Sequence, residues 1–510
     1  MPSRSGVNSL RLFRWIIVRS PALSAAIRTH TYNGLGSGTR VEQDDRLQPM
    51  THDVTADLPA TSGRNRALDG VRVLAAFAVL LTHVGGQTGF AFTGTPASWV
   101  VSRGDVGVPI FFVLSGLLLY RPWARAVLTG GKRPAAGPYF VRRALRILPA
   151  YWVVVIVALC TLNSPHVGSV STWVQYLLLV QNYNLHPWWD GTGADGLAQM
   201  WSLVVEVSFY LILPVLAAAL AWWAGRATGG PAGTSELSRR AWRLLAGIGV
   251  IGLSSYGVAV LAFYPSLQLW LGETLLRLMT WFAGGMLLAV MSEWAHADSA
   301  GGGTAARFCR TVAGSAEACW LIAAIAFVIA CTPLAGPENL AIPTLWNTEL
   351  KTALYAVIGT ALVAPVAFQS GRPTWVTRAL GNRVMSFLGR ISYGIFLWQF
   401  VVIYAYFAVM HARDAFQGRL YGWPAVLGIL AVVTGVTVAM AAISYYVLEL
   451  PAQRLYRPRR NRSRRERPRR DRPPQDRSRR DRSQRAPARH AATAARTRPA
   501  ALAPPLPQRR

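Results

Sequence analysis

Residues 67–86 read ALDGVRVLAAFAVLLTHVGG. The stretch is apolar for about the 20 residues that a helix needs to cross a bilayer. Asp69, Arg72 and His83 are its ionisable groups. Arg72 and His83 share one helix face, roughly 16 Å apart along the axis. Asp69, three residues before Arg72, is placed to pair with it at the inner boundary. His83 then falls near the bilayer midplane, where polar groups are costly and face a bundle interior or a cavity. Its residue type and depth suit either a hydrogen bond across helices or a catalytic base or proton carrier.

Working outward, similar apolar stretches recur near 70–90, 107–124, 144–163, 203–223, 244–263, 275–292, 318–334, 352–369, 386–410 and 424–448. The run WVQYLLLV at 173–180 is too short to cross and reads as interfacial or re-entrant. Composition agrees: 52% of the 510 residues are hydrophobic and 15% charged, against roughly 25% charged in soluble domains. The net charge of +30 is concentrated in the tail, where Arg454–Arg510 holds 21 arginines and four acidic residues. These numbers exclude an ordinary soluble enzyme, a fully disordered chain and a simple nucleic-acid-binding domain. The expected fold class is an all-α polytopic membrane protein with about ten transmembrane helices and disordered N- and C-terminal segments. Residues 1–63 form the variable first segment, 64–451 the membrane domain, and 452–510 an Arg/Pro-rich tail too polar to fold alone. GLGSG at 34–38 lacks the flanking strand and helix of a nucleotide loop, and Met50 is a plausible alternative start. Cys160, Cys309, Cys319 and Cys331 lack metal-ligand spacing, so no metal is expected.

The loops orient the chain. With the first span starting inside, inner loops hold 17 basic residues and outer loops 5. This split follows the positive-inside rule and puts both termini in the cytoplasm, in the plasma membrane.

Three further sets of polar residues stand out. Arg142, Arg143 and Arg146 lie at the inner entry of the third span, with Arg142 and Arg146 one turn apart. They suit topology and anionic-lipid contact, or a cradle for phosphates. In QMWSLVVEVSFYLILP (199–214), Ser202, Glu206 and Tyr210 line one face at i, i+4, i+8. Counted from the outer end, Glu206 lies a few turns at most below the surface. Ser115, in FFVLSG, suits helix packing, and Glu449 in SYYVLELP suits helix termination.

LDGVR and His83, FFVLSG at 111–116, VRRALRILPAYW at 141–152, MWSLVVEVSFYLILP at 200–214, ISYGIFLW at 391–398 and YYVLELP at 445–451 together resemble the acyltransferase 3 family of integral membrane proteins. The resemblance covers about 67–451. It implies ten transmembrane helices, an acyl-CoA co-substrate and O-acylation of sugars, antibiotics or other small acceptors. Carried over, the activity-linked pair is Arg72 and His83. The RRxxR stretch is Arg142, Arg143 and Arg146, and the WSLxxE stretch is Trp201, Ser202 and Glu206. Gln399 stands where many relatives have a histidine, and glutamine cannot act as a base.

The positions then support an O-acyltransferase mechanism in which His83 is expected to serve as general base, with Arg72 and Glu206 as catalytic partners. Arg142, Arg143 and Arg146 would hold the coenzyme phosphates, and Trp201, Ser202, Tyr210 and Ser115 the acceptor. The expected partners are acyl-CoA, a carbohydrate or small-molecule hydroxyl acceptor and the lipid bilayer, with no resident cofactor and no nucleic acid. A non-catalytic carrier for polar or lipid-linked molecules is the alternative, since intramembrane His, Arg and Glu also suit transport.

Overall fold

The computed structural model describes residues 64–225, 234–298, 302–337, 342–369 and 374–456. The expected disordered segments at 1–63 and 457–510 lie outside the described residues, as do the GLGSG stretch and Met50. Among the described residues every regular element is a helix. Nine helices among the described residues are long and apolar enough to cross a membrane.

The first, α1 (Arg66–Gln87), starts where the Asn65 side chain accepts from the amide of Ala67 at 3.0 Å. The Asn65 amide donates to the Val366 carbonyl at 3.0 Å, which ties the start of α1 to a distant span. There follow α2 (Pro96–Ser102), α3 (Gly107–Thr129), α4 (Ala136–Thr161), α5 (Val170–Leu177), α6 (Met200–Gly225), α7 (Thr234–Phe263) and α8 (Leu275–Ala297). The chain continues through α9 (Thr304–Gly314), α10 (Ala316–Ala330), α11 (Leu345–Ala367), α12 (Trp375–Leu380), α13 (Arg383–Val409) and α14 (Trp423–Ser444). A π-helical turn, Tyr445–Glu449, joins α14 to α15 (Leu450–Leu455).

The span expected at 318–334 takes a different form. Helices α9 and α10 meet at a bend of 72°, so the count reaches ten when this broken pair is one span. The 15 residues of α10 reach only about 22 Å at 1.5 Å per residue, and α9 supplies the rest.

Outward faces are apolar. Leu211 and Val215 of α6, Val250 and Leu253 of α7, and Ile322 and Val328 of α10 are all more than half exposed. A water-facing surface would carry charge at such positions, whereas lipid accepts them without cost. The chain is a multi-pass membrane protein.

Inside, α3 and α8 approach backbone to backbone. A Cβ at Gly285 would stand 1.9 Å from the Val113 carbonyl oxygen, and one at Gly116 2.1 Å from that of Phe282. Small residues permit such contact. Phe282 in turn stacks on Phe112 at 4.4 Å and Phe209 at 4.2 Å, locking α3, α6 and α8 together.

The segment between α4 and α6 folds back into the bundle. The Tyr151 hydroxyl, past the middle of α4, donates to the Tyr176 carbonyl of α5 at 2.6 Å. The Tyr176 hydroxyl accepts from the Ala194 amide at 2.7 Å. Gln199, buried, donates to the Leu397 carbonyl at 2.9 Å, and Leu397 lies at the mid-length of α13. Helix α6 therefore begins inside the bundle rather than at its edge. The short run read as interfacial or re-entrant is the eight-residue α5 on this path.

Candidate active site

The late start of α6 decides where Glu206 goes. Its carboxylate lines a cavity of about 200 Å³ between α1, α3, α4, α6 and α13, together with Arg72, Ser115, Arg143, Arg146, Ser202 and Tyr210. Phe111, Phe112 and Phe396 supply apolar wall. Ser115 Oγ donates to Glu206 Oε1 at 2.5 Å, and the Tyr210 hydroxyl donates to the same oxygen at 2.6 Å. One turn of α6 separates Glu206 from Tyr210, while Ser115 reaches across from α3. The Arg143 guanidinium sits 6.0 Å from the Tyr210 ring centroid, and its buried Nε has no hydrogen-bond acceptor. Arg72 interacts electrostatically with Arg146, Asp69, Tyr210 and Glu206. The sequence alone put Glu206 toward the outer surface, apart from the arginines; in the structure it shares their cavity.

A second cavity of about 450 Å³ adjoins the first, sharing Arg72, Arg146 and Leu118 with it. Arg64, Asp69, Arg121, Arg390 and Glu449 complete its charged lining. Asp69 is 2% exposed. It accepts from Arg64 Nε at 2.8 Å through Oδ2 and from Arg72 at 3.1 Å through Oδ1. Gly389 makes room for it, since a Cβ there would meet the Asp69 Cβ at 2.5 Å. Glu449 is buried in the π-helical turn and its Oε1 lacks a hydrogen-bond partner. With five guanidinium groups against two carboxylates, this wall is electropositive and suited to polyanions such as phosphates. Arg142 is exposed and is absent from the lining of both cavities. The side chains that face inward from α4 are Arg143 and Arg146, an i,i+3 pair in place of the expected i,i+4 pair.

His83 is elsewhere. It lies four residues before the end of α1, about 6 Å along the axis, so it is near one helix end and not at mid-length. Its cavity, about 300 Å³, is lined by Thr82, Gln87, Ser102, Arg103, Lys351 and Phe400. The imidazole lies against the Phe400 ring, centroids 4.2 Å apart. Gln399 is its polar neighbour, although neither His83 Nδ1 nor Gln399 Oε1 completes a well-formed hydrogen bond. Trp201 lines yet another cavity, of about 400 Å³, with Arg103, Asp105, Arg277, Trp281 and Lys351. That cavity shares Arg103 and Lys351 with the His83 cavity and Val108 with the Glu206 cavity.

The expected residues therefore divide between cavities. Arg72, Arg143, Arg146, Ser115, Ser202, Glu206 and Tyr210 line one, while His83 and Trp201 line two others. Sequence reading missed Arg390, Arg103, Asp105 and Lys351 as cavity residues, and read Glu449 as helix termination. A signal existed for Lys351 and Asp105, charged residues bordering apolar stretches, but nothing in their spacing joined them.

The acyltransferase domain model of the acyltransferase 3 family matches residues 65–445. The chain is similar to Nodulation protein 10 of Rhizobium leguminosarum bv. viciae, 24% identical over 425 residues, which are 78% of this chain and 95% of that protein. It is 30% identical over 167 residues to the acyltransferase MdmB of Streptomyces mycarofaciens, covering 31% of this chain and 40% of that one. The peptidoglycan O-acetyltransferase OatA of Listeria monocytogenes is 27% identical over 172 residues, 31% of this chain and 25% of its own length. No solved structure matches. Nine apolar spans among the described residues, ten with the broken pair, a basic cavity beside a buried carboxylate and the family match over most of the membrane domain agree: the chain belongs to the acyltransferase 3 family and is an O-acyltransferase.

Proposed function

We propose that the protein moves an acyl group from acyl-CoA to a hydroxyl of a sugar, glycan or small-molecule acceptor, with His83 as general base. The observation that carries this reading is the placement of two unlike cavities along α1. An arginine-rich cavity surrounds Arg72 at one end and His83 lines a cavity toward the other, about 16 Å away along the axis. An extended pantetheine arm is equivalent to about four residues of chain, roughly 14 Å. Coenzyme phosphates held by Arg72 and Arg146 would thus bring the thioester close to the level of His83. Phe396 and Phe400, one turn apart on α13, line the two cavities in turn and form the apolar strip along which the acyl end passes.

In the reaction, the imidazole takes the proton of the acceptor hydroxyl as its oxygen attacks the thioester carbonyl. The tetrahedral intermediate collapses with cleavage of the C–S bond. The departing thiolate takes the proton from the imidazolium, leaving ester and free CoA thiol. Glu206, fixed by Ser115 and Tyr210, balances the charge of Arg72, Arg143 and Arg146. It keeps them spaced for the donor rather than acting on the acceptor. The relatives whose names include O-acetyltransferase favour acetyl as the group moved and a saccharide hydroxyl as acceptor.

The arginine-rich end would face the cytoplasm of a plasma-membrane protein. Counting α9 and α10 as one span gives an even number, which returns both termini to the side favoured by the 17:5 distribution of basic residues. The test uses membranes containing the wild type or His83→Ala, given labelled acetyl-CoA and candidate acceptors. Label transfer lost in the variant, with CoA binding retained, is the expected result. Equal transfer from both refutes the role of His83.

A further inference from the structure

We infer that the acceptor carries an anionic group, a carboxylate or a phosphate, and that Arg103 receives it. The inference rests on the proposed acyl transfer at His83 and names the substrate class of that same site. Arg103 follows α2 in a single 3₁₀ turn and is 4% exposed. One terminal nitrogen donates to the Gly336 carbonyl at 2.6 Å, while its buried Nε has no acceptor. Among the described residues, no carboxylate lies within ion-pair distance of it. Asp105 and Glu349 are engaged with other cations. Asp105 accepts from Lys351 at 2.6 Å and from the Tyr355 hydroxyl, and Glu349 lies 3.9 Å from Arg277.

A buried guanidinium with an unmet donor and no counter-charge among the described residues is costly unless a further group completes it. Arg103 lines both the His83 cavity and the 400 Å³ cavity beside it, as does Lys351, whose charge Asp105 already meets. The chain near His83 is held to this segment, since Thr82 Oγ1 donates to the Val101 carbonyl at 2.5 Å. An anion on Arg103 would therefore set the neighbouring hydroxyl of the same molecule toward the imidazole. Trp201 and Trp281 line the larger cavity and offer flat apolar surface for a sugar ring. Arg277, 3% exposed and with an unpartnered terminal nitrogen, adds a second donor on its far side.

Three probes separate the possibilities: methyl glucuronide with a carboxylate, glucose 1-phosphate with a phosphate, and neutral methyl glucoside. Binding of each to the full-length protein in nanodiscs is measured by calorimetry, with CoA binding measured on the same samples. Wild type should bind one charged probe about tenfold or more tightly than the neutral one, as a charge-assisted hydrogen bond provides, and which one identifies the anion. Arg103→Gln should abolish the preference and leave CoA binding unchanged, and Arg103→Lys should restore part of it. Equal binding of charged and neutral probes, no binding of either charged probe, or a preference that survives Arg103→Gln overturns the inference. If Arg103→Gln does not fold, the wild-type comparison and Arg103→Lys still decide. A charge preference that depends on Arg103 without any label transfer from acetyl-CoA would instead refute the acyl-transfer reading and leave anion binding standing.

Discussion

Asp69→Asn sets two physical effects against each other at the donor end. In one, the Asp69 carboxylate holds Arg72 ready for phosphate; in the other, it competes with phosphate for the guanidinium. The geometry favours the first. Asp69 Oδ1 takes one terminal nitrogen of Arg72 at 3.1 Å, which leaves the remaining N–H groups directed elsewhere. Arg72 and Arg146 line the same two cavities and repel each other, so Asp69 is the charge that lets them coexist. The Arg64 arm contributes little, because Arg64 is 51% exposed and such pairs are worth about 0–1 kcal/mol. The Arg72 arm, 22% exposed against a 3% exposed carboxylate, is worth about 2 kcal/mol as a charge-assisted hydrogen bond. Lost from donor positioning, that is a factor of about 30 in affinity. Initial rates against acyl-CoA concentration, measured on purified protein with intact thermal stability, should show KM raised by that factor with kcat changed far less. A KM that falls would mean Asp69 competes with the donor, and the positioning argument would be wrong.

Ser115→Ala and Tyr210→Phe each remove one donor to the same Glu206 oxygen, costing about 1.5–3 kcal/mol apiece. Because they share an acceptor, the double variant should lose less than the sum in kcat/KM, whereas strict additivity would show that the two do not act through Glu206. Gly285→Ala drives a methyl into the Val113 carbonyl, so the melting temperature in detergent should drop sharply. A melting temperature within error of wild type would contradict the contact of α3 with α8. Gly389→Ala displaces Asp69 without changing any charge. It should reproduce the KM effect of Asp69→Asn in weaker form, and an unchanged KM would detach Asp69 from donor binding.

Membrane class, approximate spans and the Arg72–His83 relation were legible because they depend on helix periodicity and on local hydropathy. The broken span was not, since α9 and α10 together have the apolar length of one helix and a 72° bend leaves no mark in composition. Depth was the main loss. Glu206 is six residues into α6, but position along a helix gives depth only if the helix begins at the surface. Gln199 bonded at the mid-length of α13 shows that α6 does not. Side-chain direction was the other. Arg142 and Arg146 satisfied the i,i+4 rule, yet the face of α4 that meets the bundle contains Arg143 and Arg146. Arg103, Asp105 and Lys351 meet across more than 240 residues of chain, a distance at which periodicity carries no information.

The inward start of α6 has an electrical consequence. The cavity at the arginines and the cavity beside Arg103 both reach Val108; if water fills each from its own side, most of a membrane potential falls across the thin low-dielectric partition between them. One elementary charge moved through it changes the energy by about 2.3 kcal/mol per 100 mV. With coenzyme phosphates retained at the arginines and an anionic acceptor at Arg103, the group that traverses the partition is an uncharged acyl chain. Turnover on this plan does no work against the field, so an energised and a depolarised membrane should support acylation at the same rate.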